Sequence, residues 1–192
     1  MKKILLISIF FLISALSAQA NEIKRIFVGN ESAKISIIAF ESLTCSYCAK
    51  FHQDVYPLLK KEYLDTGLAK IEFRHFPLDI AAFNASKVAQ CKNDGNLEIL
   101  ESLYANQQKW VKGSSIEEAN INLQKFLSKE GFNIDFESCI NNKQIEDFVL
   151  NDRIDGAKNF KVNATPTIII NNKKFEKTLN YKNLKKALEK LI

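Results

Sequence analysis

The run Phe40-Glu41-Ser42-Leu43-Thr44-Cys45-Ser46-Tyr47-Cys48 decides how this chain of 192 residues is read. Immediately before it, Ile35 to Phe40 is a short apolar stretch of the kind that forms a buried strand. After it comes a helical pattern with Cys48, Phe51, Val55, Leu58 and Leu59 on one side, interrupted by Pro57. A proline inside a helix removes a backbone donor and crowds the preceding turn, so a kink is expected there. Asp65-Thr66-Gly67 ends the helix. A second strand follows from Lys70 to Phe76, where Ile71, Phe73 and His75 alternate with Glu72 and Arg74. Strand, helix and strand at these lengths make a βαβ unit with a parallel pair.

Working outward, Leu78 to about Asn141 carries helical stripes: Ala81, Ala85, Val88 and Ala89; Leu97, Leu100, Leu103 and Tyr104; and Ile116, Ala119, Leu123, Phe126 and Leu127. Ser115 with Glu118 fits a capping box, and Gly131 suits a C-terminal cap. A long helix over 144–161 leads back with Ile145, Val149, Ala157 and Phe160 inward. Thr165-Pro166 then precedes a strand from Thr167 to Ile170. Asn171-Asn172 marks a turn, Lys173 to Glu176 can return as an edge strand, and a last helix carries Leu184, Leu188 and Leu191. The fold class is α/β: a βαβ half, a helical insertion and a ββα half. The boundaries are 1–20 for a leader, 21–77 and 142–192 for the α/β domain, and 78–141 for the insertion.

The leader bears on the chemistry of the cysteines. Met1-Lys2-Lys3 is a positive start, Ile4 to Leu16 is almost wholly apolar, and Ala18-Gln19-Ala20 has the small-x-small pattern of a signal peptidase site. The apolar part falls short of the ~20 residues that span a bilayer, which favours a cleaved signal over an anchor. No cysteine stands at the cleavage site, so a lipoprotein signal is not supported. Export places all four cysteines, at 45, 48, 91 and 139, in an oxidising compartment, where an even count points to disulfides. The Lys-rich end from Lys173 to Lys190 is a solvated helix face rather than a nucleic-acid site.

A Cys-x-x-Cys pair at the first turn of a helix suits redox chemistry. Cys45 stands exposed while Cys48 is tucked beneath it. Unpaired backbone N–H groups and the positive end of the helix dipole favour a thiolate at Cys45. Only the thiolate attacks a disulfide, and stabilising it makes the oxidised pair a stronger oxidant. Cys45 is the candidate nucleophile and Cys48 the resolving thiol. The competing readings are a copper or zinc site completed by His52, and a structural disulfide. His52 is expected to be a half-exposed helix residue, and His75 a hydrogen-bonded framework residue. No cofactor or metal is implied. Cys91 and Cys139 sit at the two ends of the insertion. Paired, they close a loop of roughly 50 residues, worth up to about 4 kcal/mol of chain entropy; pairing with a partner or carrying electrons are the alternatives. Trp110 reads as a core residue of the insertion.

Four segments together are similar to the DsbA-like branch of the thioredoxin superfamily: FESLTCSYCAKFHQDVYPL (40–58), FRHFPL (73–78), LYANQQKW (103–110) and NATPTII (163–169). The resemblance covers essentially all of residues 21–192. It implies a thioredoxin fold with a helical insertion, and a periplasmic protein that passes a Cys45–Cys48 disulfide to exported polypeptides. It also implies a cis peptide bond at Pro166, with Thr165 beside the cysteine pair binding substrate backbone. Reduced or misoxidised exported polypeptides would be the substrates, and a membrane redox partner would reset the pair. Family members often carry an acid six residues before the first cysteine, which is Ala39 here. Strand alternation puts Glu41 on the same face, as a candidate proton relay or, equally, a plain surface carboxylate. Ser46 and Tyr47 bring no charge between the cysteines, so a milder oxidant is expected. Isomerases of the superfamily commonly need an N-terminal dimerisation domain, for which Asn21 to Lys34 leaves no room. A monomeric oxidase is therefore the leading expectation, with an isomerase or reductase next and a metal-binding thioredoxin-like protein third.

Overall fold

In the computed structural model, which describes residues 22–192, one five-stranded mixed sheet organises the chain. Its strands are β1 (Ile26–Gly29), β2 (Ile35–Glu41), β3 (Ala69–His75), β4 (Thr167–Ile170) and β5 (Lys173–Lys174). They run in the order β1-β3-β2-β4-β5. β2 and β3 pair in parallel, and every other neighbour is antiparallel. The leader, residues 1–20, lies outside the described residues.

The parallel β2–β3 pair is joined through α1 (Ser46–Asp54), α2 (Tyr56–Leu59) and a π-helical turn at Lys60–Leu64. The break between α1 and α2 falls at Val55, two residues before Pro57, whose missing donor is tolerated at the start of the new helix. Between β3 and β4 lie α3 (Ile80–Gln90), α4 (Glu98–Ala105), α5 (Gln107–Trp110), α6 (Ile116–Lys129), α7 (Phe136–Ile140) and α8 (Lys143–Asn159). α9 (Tyr181–Leu188) closes the chain.

The sheet buries both faces. Ile35, Ile37 and Ala39 of β2 face the main core with Cys48, Phe51, Leu59 and the insertion helices. Ile38 and Phe40 point the other way, into a smaller core with Phe76, Val162 and Ile169. The period of two in a strand is what separates these sets. Cys91 at the end of α3 and Cys139 in α7 are joined as a disulfide. Trp110 is buried and donates its Nε1 hydrogen to the Leu103 carbonyl at 2.8 Å.

Several expectations need correction. β1, antiparallel to β3, has no signature in the sequence pattern, because four residues ending in glycine carry little periodicity. Leu58 and Leu191 are exposed, the first because the helix restarts beyond Val55 and the second because α9 has already ended. In α8 it is Gly156, not Ala157, that faces inward: Phe40 and Phe76 leave room only for a hydrogen there. The cap of α6 stands at Ser115 as expected, but its reciprocal arm is shifted by one residue. Ser115 accepts from Glu118 N, but the Glu118 carboxylate reaches Ser114 N rather than Ser115 N.

Candidate active site

Cys45 is the N-cap of α1, with extended backbone, and has no helical partner for its own side chain. Its carbonyl accepts from Cys48 N at 3.1 Å and Ala49 N at 3.2 Å, which fixes the first turn. Cys48 is therefore carried one turn on and inward, and is fully buried, while Cys45 stays partly accessible. Both are free thiols in this structure.

Sγ of Cys45 lies 3.3 Å from the carbonyl oxygen of Thr165, to which it donates only when it carries its proton. The peptide bond from Thr165 to Pro166 is cis. The loop before β4 thus lies directly against the helix start, although it is 120 residues away in sequence. The buried Thr165 hydroxyl has no hydrogen-bond partner among the described residues and stands ready to donate to a Cys45 thiolate.

The two sulfurs are electrostatically opposite. The Cys45 thiol is pulled down to about 5, chiefly by a hydrogen bond from the Cys48 thiol, with help from Thr165 and the N–H groups of Cys48 and Tyr47 against the cost of burial. The Cys48 thiol is driven far up, first by burial, then by its bond to Cys45 and by the charge of Glu41. One cysteine is held as thiolate and the other as thiol, the division that nucleophile and resolving group require.

Glu41, at the end of β2, is buried with its side chain 3 % exposed. Its Oε2 lies 2.8 Å from Nε2 of His52. His52 was expected to be half-exposed, but its side chain is 6 % exposed. The ring stacks on Tyr104 with centroids 4.2 Å apart and also meets Phe73 and Tyr56. A helix position four residues beyond Cys48 falls on the buried face, and α4 covers it. With Nε2 turned to Glu41, His52 does not complete a metal set: among the described residues no group of three or more His, Cys, Asp or Glu is placed to hold a metal ion.

The insertion reaches into the site through residues that sequence reasoning did not single out. Gln107 of α5 donates its Nε2 hydrogens to the carbonyls of Leu43 at 2.8 Å and Cys45 at 3.0 Å. Thr44 donates to Asp79 at 2.6 Å, and the other oxygen of Asp79 caps α3 through Ala82 N. Gln107 lies inside the LYANQQKW segment, but nothing in that segment says what its amide holds. Tyr47, between the cysteines, is 73 % exposed and borders a groove of about 460 Å³ with Phe51, Val55, Pro166 and Leu179. Cys91 and Cys139 belong to the insertion and are not part of this cluster. His75 is buried, hydrogen-bonded to Gln90, and its pKa is lowered by burial.

Fold and site together define a thioredoxin-fold dithiol protein with a helical insertion. A family model described as Thioredoxin matches residues 21–190, and the chain belongs to that family. It is similar to a protein-disulfide oxidoreductase of Rickettsia typhi, at 26 % identity over 171 residues covering 86 % of this chain and 61 % of the relative. Disulfide bond formation protein D of Bacillus subtilis is 26 % identical over 174 residues, covering 85 % of this chain and 75 % of the relative. The chain thus spans about three fifths of the length of the Rickettsia relative. Among solved structures, alpha-DsbA1 of Wolbachia pipientis superposes with a TM-score of 0.77 at 28 % identity, covering 87 % of this chain and 90 % of that one. No helix among the described residues is long and apolar enough to cross a membrane.

Proposed function

We propose that the protein is a thiol–disulfide oxidoreductase that transfers a Cys45–Cys48 disulfide to other polypeptides by exchange. The observation that carries this reading is the asymmetry of the pair, a partly open Cys45 held as thiolate over a buried Cys48 held as thiol. A client thiolate attacks Cys45, Cys48 leaves, and a second client thiol releases the client with its disulfide formed. A stabilised Cys45 thiolate favours the reduced protein and so drives the disulfide outward. Thr165 and Pro166, beside the groove bordered by Tyr47, offer the surface for client backbone. Glu41 serves as proton relay to Cys48, taking the place of the acid missing at Ala39.

The setting proposed is the periplasm, reached through a cleaved leader at residues 1–20. The clients are reduced or misoxidised exported polypeptides, a membrane redox partner restores the disulfide, and the protein works as a monomer. The Cys91–Cys139 disulfide serves to hold the insertion together. The uncharged Ser46 and Tyr47 make the oxidant a mild one. The second reading is an isomerase or reductase: the threonine before the cis proline resembles isomerases of the superfamily as well as some of its oxidases.

Trapping the thiols in living cells with an alkylating reagent separates the two readings. An oxidase keeps Cys45 and Cys48 predominantly disulfide-bonded and resistant to the reagent. Finding Cys45 predominantly reduced would overturn the oxidase direction in favour of the isomerase or reductase.

A further inference from the structure

Cys48 has a proton problem that Cys45 does not. It is fully buried and must gain a proton when it leaves a disulfide and lose one when it re-forms it. Glu41 lies close enough for its charge to bear on Cys48, but Glu41 is itself shut away from solvent. His52 links it to the outside. Its Nε2 is on Glu41 Oε2, while its Nδ1 is buried with no hydrogen-bond partner among the described residues. The same ring borders a groove of about 840 Å³ between α1–α2 and α4–α5, on the opposite side of α1 from the groove of Tyr47 and Pro166. The Tyr56 hydroxyl is also buried with no hydrogen-bond partner among the described residues, and Tyr56 lines this groove as well.

We propose that His52 is a positioning residue for the buried half of the cysteine pair, carrying a proton between water in this groove and Glu41. This rests on the disulfide-exchange reading above. When a client thiolate attacks, the Cys45–Cys48 bond breaks, the client–Cys45 bond forms, and Cys48 departs as a thiolate. The proton on Nε2 of His52 passes to the Glu41 carboxylate and on to the Cys48 thiolate, and the imidazole regains a proton at Nδ1, closed to water in this structure, from the groove that its ring borders. During reoxidation the proton runs outward. The Cys48 thiolate then attacks Cys45 in its mixed disulfide with the partner, and the partner leaves as a thiolate. Stacking on Tyr104 holds the ring in the plane that this passage needs. The titratable and charged groups around His52 are Glu41 from β2, Tyr56 from α2 and Tyr104 from α4, which meet its ring, and Lys60, Glu101 and Lys109, which line the same groove.

The test uses the full protein, reduced and mixed with oxidised glutathione. Formation of the Cys45–glutathione disulfide and its resolution by Cys48 are timed separately by acid quench. In His52→Gln, which keeps an amide hydrogen for Glu41 but cannot pass a proton on, resolution should slow at least about tenfold near neutral pH relative to formation. The pH dependence of resolution should flatten with it. In His52→Ala, free imidazole added to the buffer should restore the rate in proportion to its concentration. Resolution in a folded His52→Gln within about twofold of the parent, with an unaltered pH profile, would overturn the proposal. Because His52→Gln preserves the bond to Glu41, that result stands even if His52→Ala fails to fold. A parent that never resolves the mixed disulfide would instead overturn the exchange reading, and this proposal with it.

Discussion

Gln107, on helix α5 of the insertion, donates an amide hydrogen to the backbone carbonyl of Cys45 at 3.0 Å. The second hydrogen goes to Leu43 at 2.8 Å, so one side chain ties the insertion to both ends of the loop that presents the nucleophile. Cys45 O has two further donors in α1, so removing Gln107 chiefly orphans Leu43 O. Gln107→Ala should cost about 1–2 kcal/mol of stability and slow disulfide exchange. The neighbouring exposed Gln108→Ala should stay within about 0.5 kcal/mol of the parent. Denaturant melts of the two variants, compared with glutathione exchange rates, check this.

The thiolate at Cys45 makes the reduced protein pH-sensitive in a defined direction. Its pKa is depressed on folding, from an ordinary 9.0 to about 5. The stabilisation is therefore fully present above about 9, declines as pH falls, and is gone below about 5. The oxidised protein has no such thiol to titrate. Reduced protein should lose Tm relative to oxidised protein as the buffer is taken from neutral to below 5. Ultraviolet absorbance of the thiolate should show a midpoint near 5, and a midpoint above about 8 would remove the basis for an oxidising pair.

Gly156 is a packing requirement. A Cβ there would stand 2.8 Å from Cε1 and 2.9 Å from Cδ1 of the fully buried Phe40 ring. Gly156→Ala should thus destabilise by about 1–3 kcal/mol despite alanine's better helix propensity. An Ala157→Gly control should lose only about 1 kcal/mol, from helix propensity alone. Thermal melts distinguish them.

Those two positions show where the sequence was legible and where it was not. The apolar run of β2, the alternation in β3, the Pro57 break and the glycine after α6 are local signals, and the elements they mark are present. In α8 the residue turned inward is Gly156 rather than Ala157, because a glycine carries no apolar signal when its place is dictated by a ring on another element. The same holds at the site. Cys45, Cys48, Thr165 and Pro166 announce themselves by residue type and spacing. The Glu41–His52 bond does not, since it depends on α4 covering a helix face that looks exposed in isolation. Gln107 is invisible for the same reason: its partners are backbone carbonyls more than 60 residues away.

The Cys91–Cys139 link closes a loop with a sequence separation of 48 and ties α3 to α7. Replacing both cysteines by alanine should lower stability by up to about 4 kcal/mol, mostly through a less restricted unfolded chain. Exchange by Cys45 should continue at temperatures where the variant stays folded. Loss of exchange in a fully folded variant would instead mark this pair as carrying electrons.

The central claim concerns Cys45 and Cys48 as a transferable disulfide. Its most direct test mixes oxidised protein with an equimolar reduced, unfolded polypeptide and quenches samples with an alkylating reagent for mass analysis. Alkylated Cys45 and Cys48 should appear together with a disulfide in the polypeptide, and Cys48→Ser whose Cys45 is first converted to its mixed disulfide with glutathione should release glutathione and become disulfide-linked to the polypeptide through Cys45. A Cys45–Cys48 bond that persists while the polypeptide stays reduced would contradict it.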